Sequence, residues 1–195
     1  MGSSAAPTAA PIVLLDANVL YPFHIRNILL QLAVGRILDI RWTDAIHDEW
    51  IGALVIAGKA DTTRLRRTRD IMKRVLPKAE ITGYEHRIAF LRLPDPDDRH
   101  VVAAAIECRA PIILTFNLRD IPPEVLAPLG IVAREPDSFL CDLYDADPEA
   151  VAAAVAAARE NLTVSALTQA HFVDTLQRQR LPEFAARLRT YRTEI

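Results

Sequence analysis

The sequence predicts an α/β fold, with a central, mainly parallel sheet flanked by helices and followed by a C-terminal helical extension. Short apolar runs of strand length alternate with helix-length segments over residues 12–140, and this alternation is typical of a parallel sheet. From Asp147 onward the chain becomes alanine-rich, which favours helix. The 195 residues are 51% hydrophobic and 25% charged, so the chain can bury a core of useful size.

Four segments are predicted as strands, three because they are short apolar runs and residues 38–42 because apolar and polar residues alternate there. The clearest of them reads IILT, and the first, IVLL, ends directly at Asp16. The predicted strands cover Ile12–Leu15 and residues 38–42, 112–115 and 131–133.

Helices are predicted between these strands from capping and stop signals. Gly35 and Gly58 can each end a helix, Thr43 or Asp44 can cap the second helix, and Pro77 stops the third. An alanine-rich helix before the third strand would pack tightly on the sheet. The predicted helices cover residues 27–34, 44–57, 62–76, 84–91, 101–108 and 124–129 and, in the extension, 148–162, 165–179 and 182–191.

The chain divides into three parts by composition. We expect residues 1–11 to form a flexible N-terminal tail, since they are small and uncharged and lack the basic region and apolar core of a signal peptide. Residues 12–140 form the α/β domain and residues 141–195 the helical extension.

Cys108 and Cys141 lie among apolar neighbours, as buried thiols do in a reducing compartment. With no apolar run of membrane-spanning length, we expect a cytoplasmic protein.

Several acidic residues are expected to meet at one edge of the sheet. Asp16 comes directly after the first strand, and Asn117 and Asp120 come just after the third. Asp98 begins the helix that leads into that third strand, and Glu49 lies in the helix after the second. Ligand sites of open α/β sheets lie beyond the carboxyl ends of the strands. Four carboxylates from distant segments can therefore converge there.

Such convergence costs electrostatic energy. Two carboxylates about 4 Å apart repel by roughly 4 kcal/mol at an effective dielectric constant near 20. Hard divalent ions with oxygen ligands remove this conflict, and a pair of them can activate a water and stabilise the leaving oxygen of a phosphodiester. The pattern thus predicts a Mg²⁺ or Mn²⁺ site.

Each acid also has a local interpretation. Asp16 can form a turn with the help of Asn18, and Glu49 can be a solvated helical residue. Asp98 and its neighbours in the PDPDD segment can form a turn and cap a helix, and Asp120 can brace the turn that follows it. Only the joint pattern favours a functional site.

Four stretches carry a resemblance to a known family. They read LLDANVLY, HDEW, LPDPDDRHVVAAAIECRAPIILTFNLRDIP and GIVAREPDSFL. In sequence, order and spacing they resemble the PIN-domain family, specifically its VapC-type toxins, over about residues 12–140. The resemblance implies a ribonuclease that depends on Mg²⁺ or Mn²⁺, cuts RNA, often forms a homodimer and is inhibited by a cognate antitoxin.

The resemblance also implies roles for individual residues. Asp16, Glu49, Asp98 and Asp120 match the acids that bind the metal. Asn117 and Asp120 match the polar pair that follows the TF dipeptide, and Asn117 would orient a water or a phosphate oxygen.

RNA contacts must come from a local patch, because the net charge is −2 and the isoelectric point is near 6.2. The predicted helix at residues 62–76 carries Arg66, Arg69 and Lys73 on one face. This face could follow a phosphate backbone, although a solvated charged face is the ordinary interpretation.

Some classes of site are excluded. The six glycines form no phosphate-binding loop, and no serine or cysteine nucleophile elbow is present. The five histidines lack zinc-ligand spacing, so surface or packing roles are expected for all of them. They are His24, His47, His86, His100 and His171.

Two other functions remain open at this point. A phosphatase of the haloacid-dehalogenase type could use Asp16 and Thr115, but Asn18 stands where that family usually has a second acid. A PIN-like domain that binds RNA or protein without cutting is the other alternative. The apolar positions of the C-terminal helices could serve core packing or a dimer or antitoxin contact.

Overall fold

A computed structural model describes residues 10–162 and 167–191. Its centre is a sheet of four parallel strands in the order β2-β1-β3-β4. Residues Val13 and Ile40 are paired between β1 and β2, and Leu14 and Ile113 between β1 and β3. All four predicted strands are confirmed. They are β1 Ile12–Leu15, β2 Asp39–Arg41, β3 Ile112–Leu114 and β4 Val132–Arg134.

Helices fill most of the remaining described chain. They are α1 Ala17–Leu20, α2 Phe23–Val34, α3 Asp44–Ile56, α4 Thr62–Val75, α5 Glu85–Ile88, α6 Arg99–Glu107, α7 Pro123–Leu126, α8 Pro136–Ala146, α9 Pro148–Glu160, α10 Gln169–Arg178 and α11 Pro182–Thr190. Short 3-10 turns cover Pro96–Asp98 and Ala127–Leu129. Every described helix is too short or too polar to cross a membrane.

The helix predictions differ from the structure at a few places. Helix α2 begins at Phe23 rather than at residue 27, directly after Pro22. Helices α1 and α8 were not predicted, although Pro136 at the start of α8 and Asp137 in its first turn are both favourable there. The predicted start of α10 at residue 165 lies outside the described residues.

The core lies on both faces of the sheet. The side chains of Val13, Leu14, Ile113 and Leu114 are fully buried, as expected for strands covered on two sides. Helix α6 packs on β1 and β3 through the fully buried run 103–105, which is all alanine. Small side chains let the helix approach the strands closely, and this places the start of α6 near their carboxyl ends.

The C-terminal helices share this core. Helix α9 packs along α2, and the Asn27 amide donates to the Ala158 carbonyl at 2.7 Å. Helix α11 packs on α8 and α10 through fully buried Phe184 and Leu188. These contacts agree with the core-packing interpretation of the extension. Helix α8 runs across residue 140, so the proposed domain boundary falls inside a helix.

Replacing Phe184 by alanine tests whether the extension contributes to the stability of the whole chain. We expect Phe184→Ala to lower the free energy of unfolding by about 3–5 kcal/mol, because it leaves a cavity in the core. Urea unfolding followed by circular dichroism measures this. Glu183→Ala is the matched control on the same helix, since its side chain is 75% exposed and the change is expected to stay within about 0.5 kcal/mol. Equal unfolding midpoints for the two variants would contradict a shared core.

Candidate metal centre

Asp16 lies at the carboxyl edge of the sheet because it directly follows the central strand β1. Its N–H donates to the Leu114 carbonyl of β3 at 3.0 Å, which continues the strand pairing by one residue. The next residue begins α1, so the chain turns away and leaves the Asp16 side chain at the edge. The residue is only 5% exposed. A carboxylate buried to this degree needs polar partners.

Two neutral side chains hold Asp16. The Thr115 hydroxyl and the Asn18 amide both donate to Oδ2 of Asp16, each at 2.6 Å. Asn18 also donates to Thr115 Oγ1 at 3.0 Å, and its Oδ1 accepts the Phe116 N–H at 3.0 Å. Asn18 and Thr115 were not among the predicted site residues, although both lie in the stretches LLDANVLY and IILTFN. They fix the position of the Asp16 carboxylate.

Glu49 and Asp98 share a cavity with Asp16. This cavity has a volume of about 360 Å³, and Asn18 and Tyr21 also line it. Glu49 comes from the middle of α3, and Asp98 from the 3-10 turn directly before α6. The structure therefore brings three of the four predicted acids together.

His100 is a site residue that the sequence reasoning missed. Its Nε2 lies 2.7 Å from Oε1 of Glu49, and its buried Nδ1 has no hydrogen-bond partner. Burial opposes protonation, but the hydrogen bond to Glu49 and the charges of Glu49, Asp16 and Asp98 outweigh it and raise the pKa of His100. A surface or packing role was expected for this histidine. Its position two residues after Asp98, at the start of α6, places it against Glu49 instead.

Asn117 and Asp120 lie beside the cavity without lining it. The Asn117 amide donates to Oδ2 of Asp120 at 2.7 Å, and the Asn117 N–H donates to Thr115 Oγ1 at 2.9 Å. Asp120 is still close enough to Asp98 for its charge to raise the pKa of that residue. Thr115 thus connects the Asp16 side of the site to the Asn117–Asp120 pair.

Burial, together with repulsion between neighbouring carboxylates, determines the electrostatics of the site. Burial, and then the charges of Asp16, Asp95, Asp120 and Glu49, raise the pKa of Asp98 to about 6. Burial also raises the pKa of Asp16, and this outweighs the opposing hydrogen bond from Thr115. Both shifts favour a neutral carboxyl group in the absence of a cation.

The donor set fits a hard divalent cation. Oδ2 of Asp98 is buried and has no hydrogen-bond partner, so it is a free oxygen ligand beside two other carboxylates. Among the residues that the structure describes, no three His, Cys, Asp or Glu side chains are arranged to hold a metal ion by themselves. Mg²⁺ does not require three, because it keeps several waters and often uses one or two carboxylates with substrate phosphates.

Comparison with known proteins assigns the family. The family model described as PIN domain matches residues 12–119, which is more than half of the chain. The chain belongs to the PIN-domain family. A second model, the VapC50 C-terminal domain, matches residues 136–190, so the helical extension is also of a known type.

The PIN-domain chain has a curated relative in Mycobacterium tuberculosis, named "Putative ribonuclease VapC50". The two are 39% identical over 92 residues, which cover 47% of this chain and 54% of the relative. The match therefore spans about half of either protein. No solved structure matches the chain.

Membership of the PIN-domain family speaks against the phosphatase alternative, and Thr115 here serves as a hydrogen-bond donor to Asp16.

The basic face predicted on α4 of the PIN domain is largely neutralised. Lys73 forms ion pairs with Asp44 and with Glu80, the latter at 2.8 Å. Arg69 contacts Asp70 at 3.0 Å and Asp48 at 3.9 Å. Because Asp44 and Asp48 lie on α3, the charges of Arg69 and Lys73 serve to join α3 to α4. Arg66 is exposed.

Asp98→Asn is expected to stabilise the PIN domain in EDTA. The ordinary pKa of an aspartate is near 4, and that of folded Asp98 is about 6. Its ionisation therefore destabilises the fold progressively between about pH 4 and pH 6, and fully above that range. Once solvent screening of this partly exposed side chain is allowed for, the effect at pH 8 is on the order of 1 kcal/mol.

Thermal unfolding in EDTA at pH 8 and at pH 4 measures this. Asp98→Asn should unfold at a higher temperature than the unmodified chain at pH 8, and the difference should vanish at pH 4. Asp97→Asn is the matched control, because Asp97 is the exposed neighbouring acid. A lower melting temperature for Asp98→Asn than for Asp97→Asn at pH 8 would show that the ionised Asp98 carboxylate does not destabilise the fold.

Proposed function

We propose that this PIN-domain chain is a metal-dependent endoribonuclease that hydrolyses RNA phosphodiester bonds. The observation that carries the proposal is the acidic cavity at the carboxyl edge of the sheet, in which Oδ2 of Asp98 has no hydrogen-bond partner. Family membership and the name of the curated relative, a ribonuclease, support it.

Asp16, Glu49, Asp98 and Asp120 would hold one or two Mg²⁺ or Mn²⁺ ions. The bound cation would supply Lewis-acid stabilisation of the phosphate and a lowered pKa for the attacking water. The ligand carboxylates must also be held in a fixed orientation, and neighbouring side chains do this. Thr115 and Asn18 hold Asp16, His100 holds Glu49, and Asn117 holds Asp120. Fixing a ligand carboxylate in this way typically changes metal affinity or activity by 10–100-fold.

The proposal extends to the biological setting. By the resemblance of the motifs to VapC-type toxins, the chain would act in the cytoplasm as the toxin of a type II toxin–antitoxin pair. Its partners would then be an RNA substrate, a cognate antitoxin and a second copy of the chain as a homodimer.

Cleavage of total RNA by purified, antitoxin-free protein tests the proposal. We expect cutting with Mg²⁺ or Mn²⁺, none with EDTA, and a loss of at least about 100-fold in Asp98→Asn, because removing a ligand of the cation weakens transition-state stabilisation by a few kcal/mol. The Asp97→Asn control should cut as the unmodified chain does. Intact RNA under all metal conditions would instead favour a PIN domain that binds RNA or protein without cutting.

A further inference from the structure

A second, larger groove adjoins the acidic cavity. It has a volume of about 690 Å³ and shares Asn18 and Tyr21 with the cavity, so the two form one continuous depression. One wall comes from the turn between α1 and α2 and another from the segment between α3 and α4. The end of α10, at Arg178 and Arg180, forms a third. The groove therefore lies between the PIN domain and its helical extension.

The groove is positively charged, in contrast to the cavity beside it. Five cationic side chains line it, and no carboxylate of the described residues does. The five are Arg26, Lys59, Arg64, Arg178 and Arg180. This separation of charge is invisible in the net charge of −2. The cations would balance the charge of a polyanion lying in the groove. Such a polyanion could extend from the groove into the acidic cavity, where a cation is proposed.

Arg26 is the most unusual of these cations. It is only 5% exposed, and its guanidinium donates to the Leu20 carbonyl and stacks on the Trp50 ring at 4.5 Å. No carboxylate within the described residues forms an ion pair with it. Burial lowers the pKa of Arg26 to about 10, so it remains charged at neutral pH. A buried cation without an anion is unfavourable, and a phosphate in the groove would supply that anion.

Aromatic rings lie against two of these cations. The Lys59 ammonium lies 4.8 Å from the Tyr21 ring centre, and the Arg180 guanidinium lies 4.4 Å from the Phe116 ring centre. Phe23 also lines the groove and is 47% exposed. Rings and guanidinium planes both stack on unpaired bases, and a basic groove with such rings is typical of single-strand binding.

Arg180 follows directly on the end of α10 and has a left-handed backbone conformation. Its φ is 68°, in the left-handed region that favours glycine. Its ion pair with Glu135, at 3.2 Å, joins two exposed side chains and is weak. The left-handed conformation ends α10, where the Leu181 N–H donates to the Leu176 carbonyl at 3.1 Å, as is common at helix C-termini. Here the conformation accompanies the stacking of Arg180 on Phe116.

We propose that this groove binds single-stranded RNA, with phosphates held by Arg26, Lys59, Arg178 and Arg180 and unpaired bases stacked at Tyr21 and Phe116. The inference rests on the proposed function and deepens it, because it assigns residues outside the acidic cavity to the binding of the RNA. It also gives the helical extension a role in substrate binding, through Arg178 and Arg180. The predicted RNA-binding face on α4 would contribute little by comparison, since Arg69 and Lys73 are ion-paired.

Fluorescence anisotropy with a 5′-labelled 12-nucleotide single-stranded RNA of mixed sequence tests the proposal. The full chain carrying Asp98→Asn is used in EDTA, so that binding is read without cleavage. Adding Arg178→Gln and Arg180→Gln should weaken binding at least tenfold and reduce the slope of log K against log salt by roughly 1 to 1.5, because two phosphate contacts are lost. Both arginines are exposed, so folding should be unaffected.

The matched control is the double change Arg67→Gln and Arg74→Gln, which removes the same charge from exposed positions on α4. It should change binding less than twofold. A perfect RNA duplex containing the same strand should bind at least tenfold more weakly than the single strand. Equal losses in the two double variants, or equal binding of duplex and single strand, would overturn the proposal. So would displacement of the RNA by an equimolar 12-residue glutamate peptide, which would indicate a protein ligand.

The two proposals fail in different ways. If the groove binds RNA but the unmodified chain does not cut it with metal, the nuclease proposal is overturned and the groove proposal is not. Metal-dependent cutting with binding that is insensitive to Arg178 and Arg180 would overturn the groove alone.

Discussion

The burial of several carboxylates beside one another at one edge of the sheet is the constraint on which the functional part of this structure depends. Because β1 lies between β2 and β3, Asp16 stands at the centre of that edge, and α3 and α6 bring Glu49 and Asp98 to it. In the described chain these acids are held by threonine, asparagine and histidine, and no lysine or arginine forms an ion pair with them. Apart from the contribution of His100, the charge is left for something outside the protein to balance.

The second feature of the molecule is the arrangement of opposite charges side by side. The acidic cavity suits a divalent cation, whereas the adjoining groove suits the phosphates of a nucleic acid. Tyr21 and Asn18 belong to both. An RNA strand lying along the cations would thus be led toward the acids, which would otherwise repel it. The PIN domain supplies the acids, and the extension supplies part of the groove through Arg178 and Arg180.

The sequence was sufficient for the features that depend on local pattern. Each strand is a short apolar or alternating run, and Asp16 could be placed at the sheet edge because it directly follows β1. Contacts between distant segments were not accessible in this way. The Glu49–His100 pair depends on how α3 and α6 pack, and the neutralisation of Lys73 depends on Asp44 of a different helix. Helical periodicity places Arg69 and Lys73 on a face, but it does not show which acids that face meets.

Calorimetric titration of Mn²⁺ into the full chain at pH 6, in two buffers of different ionisation enthalpy, tests the central claim most directly. If burial and the neighbouring acids keep the site partly protonated, Mn²⁺ should bind with release of at least roughly half a proton per ion, because Asp98 has a pKa of about 6. At pH 8 the release should be smaller. Absence of Mn²⁺ binding, or binding at pH 6 without release of protons, would contradict the account of the site.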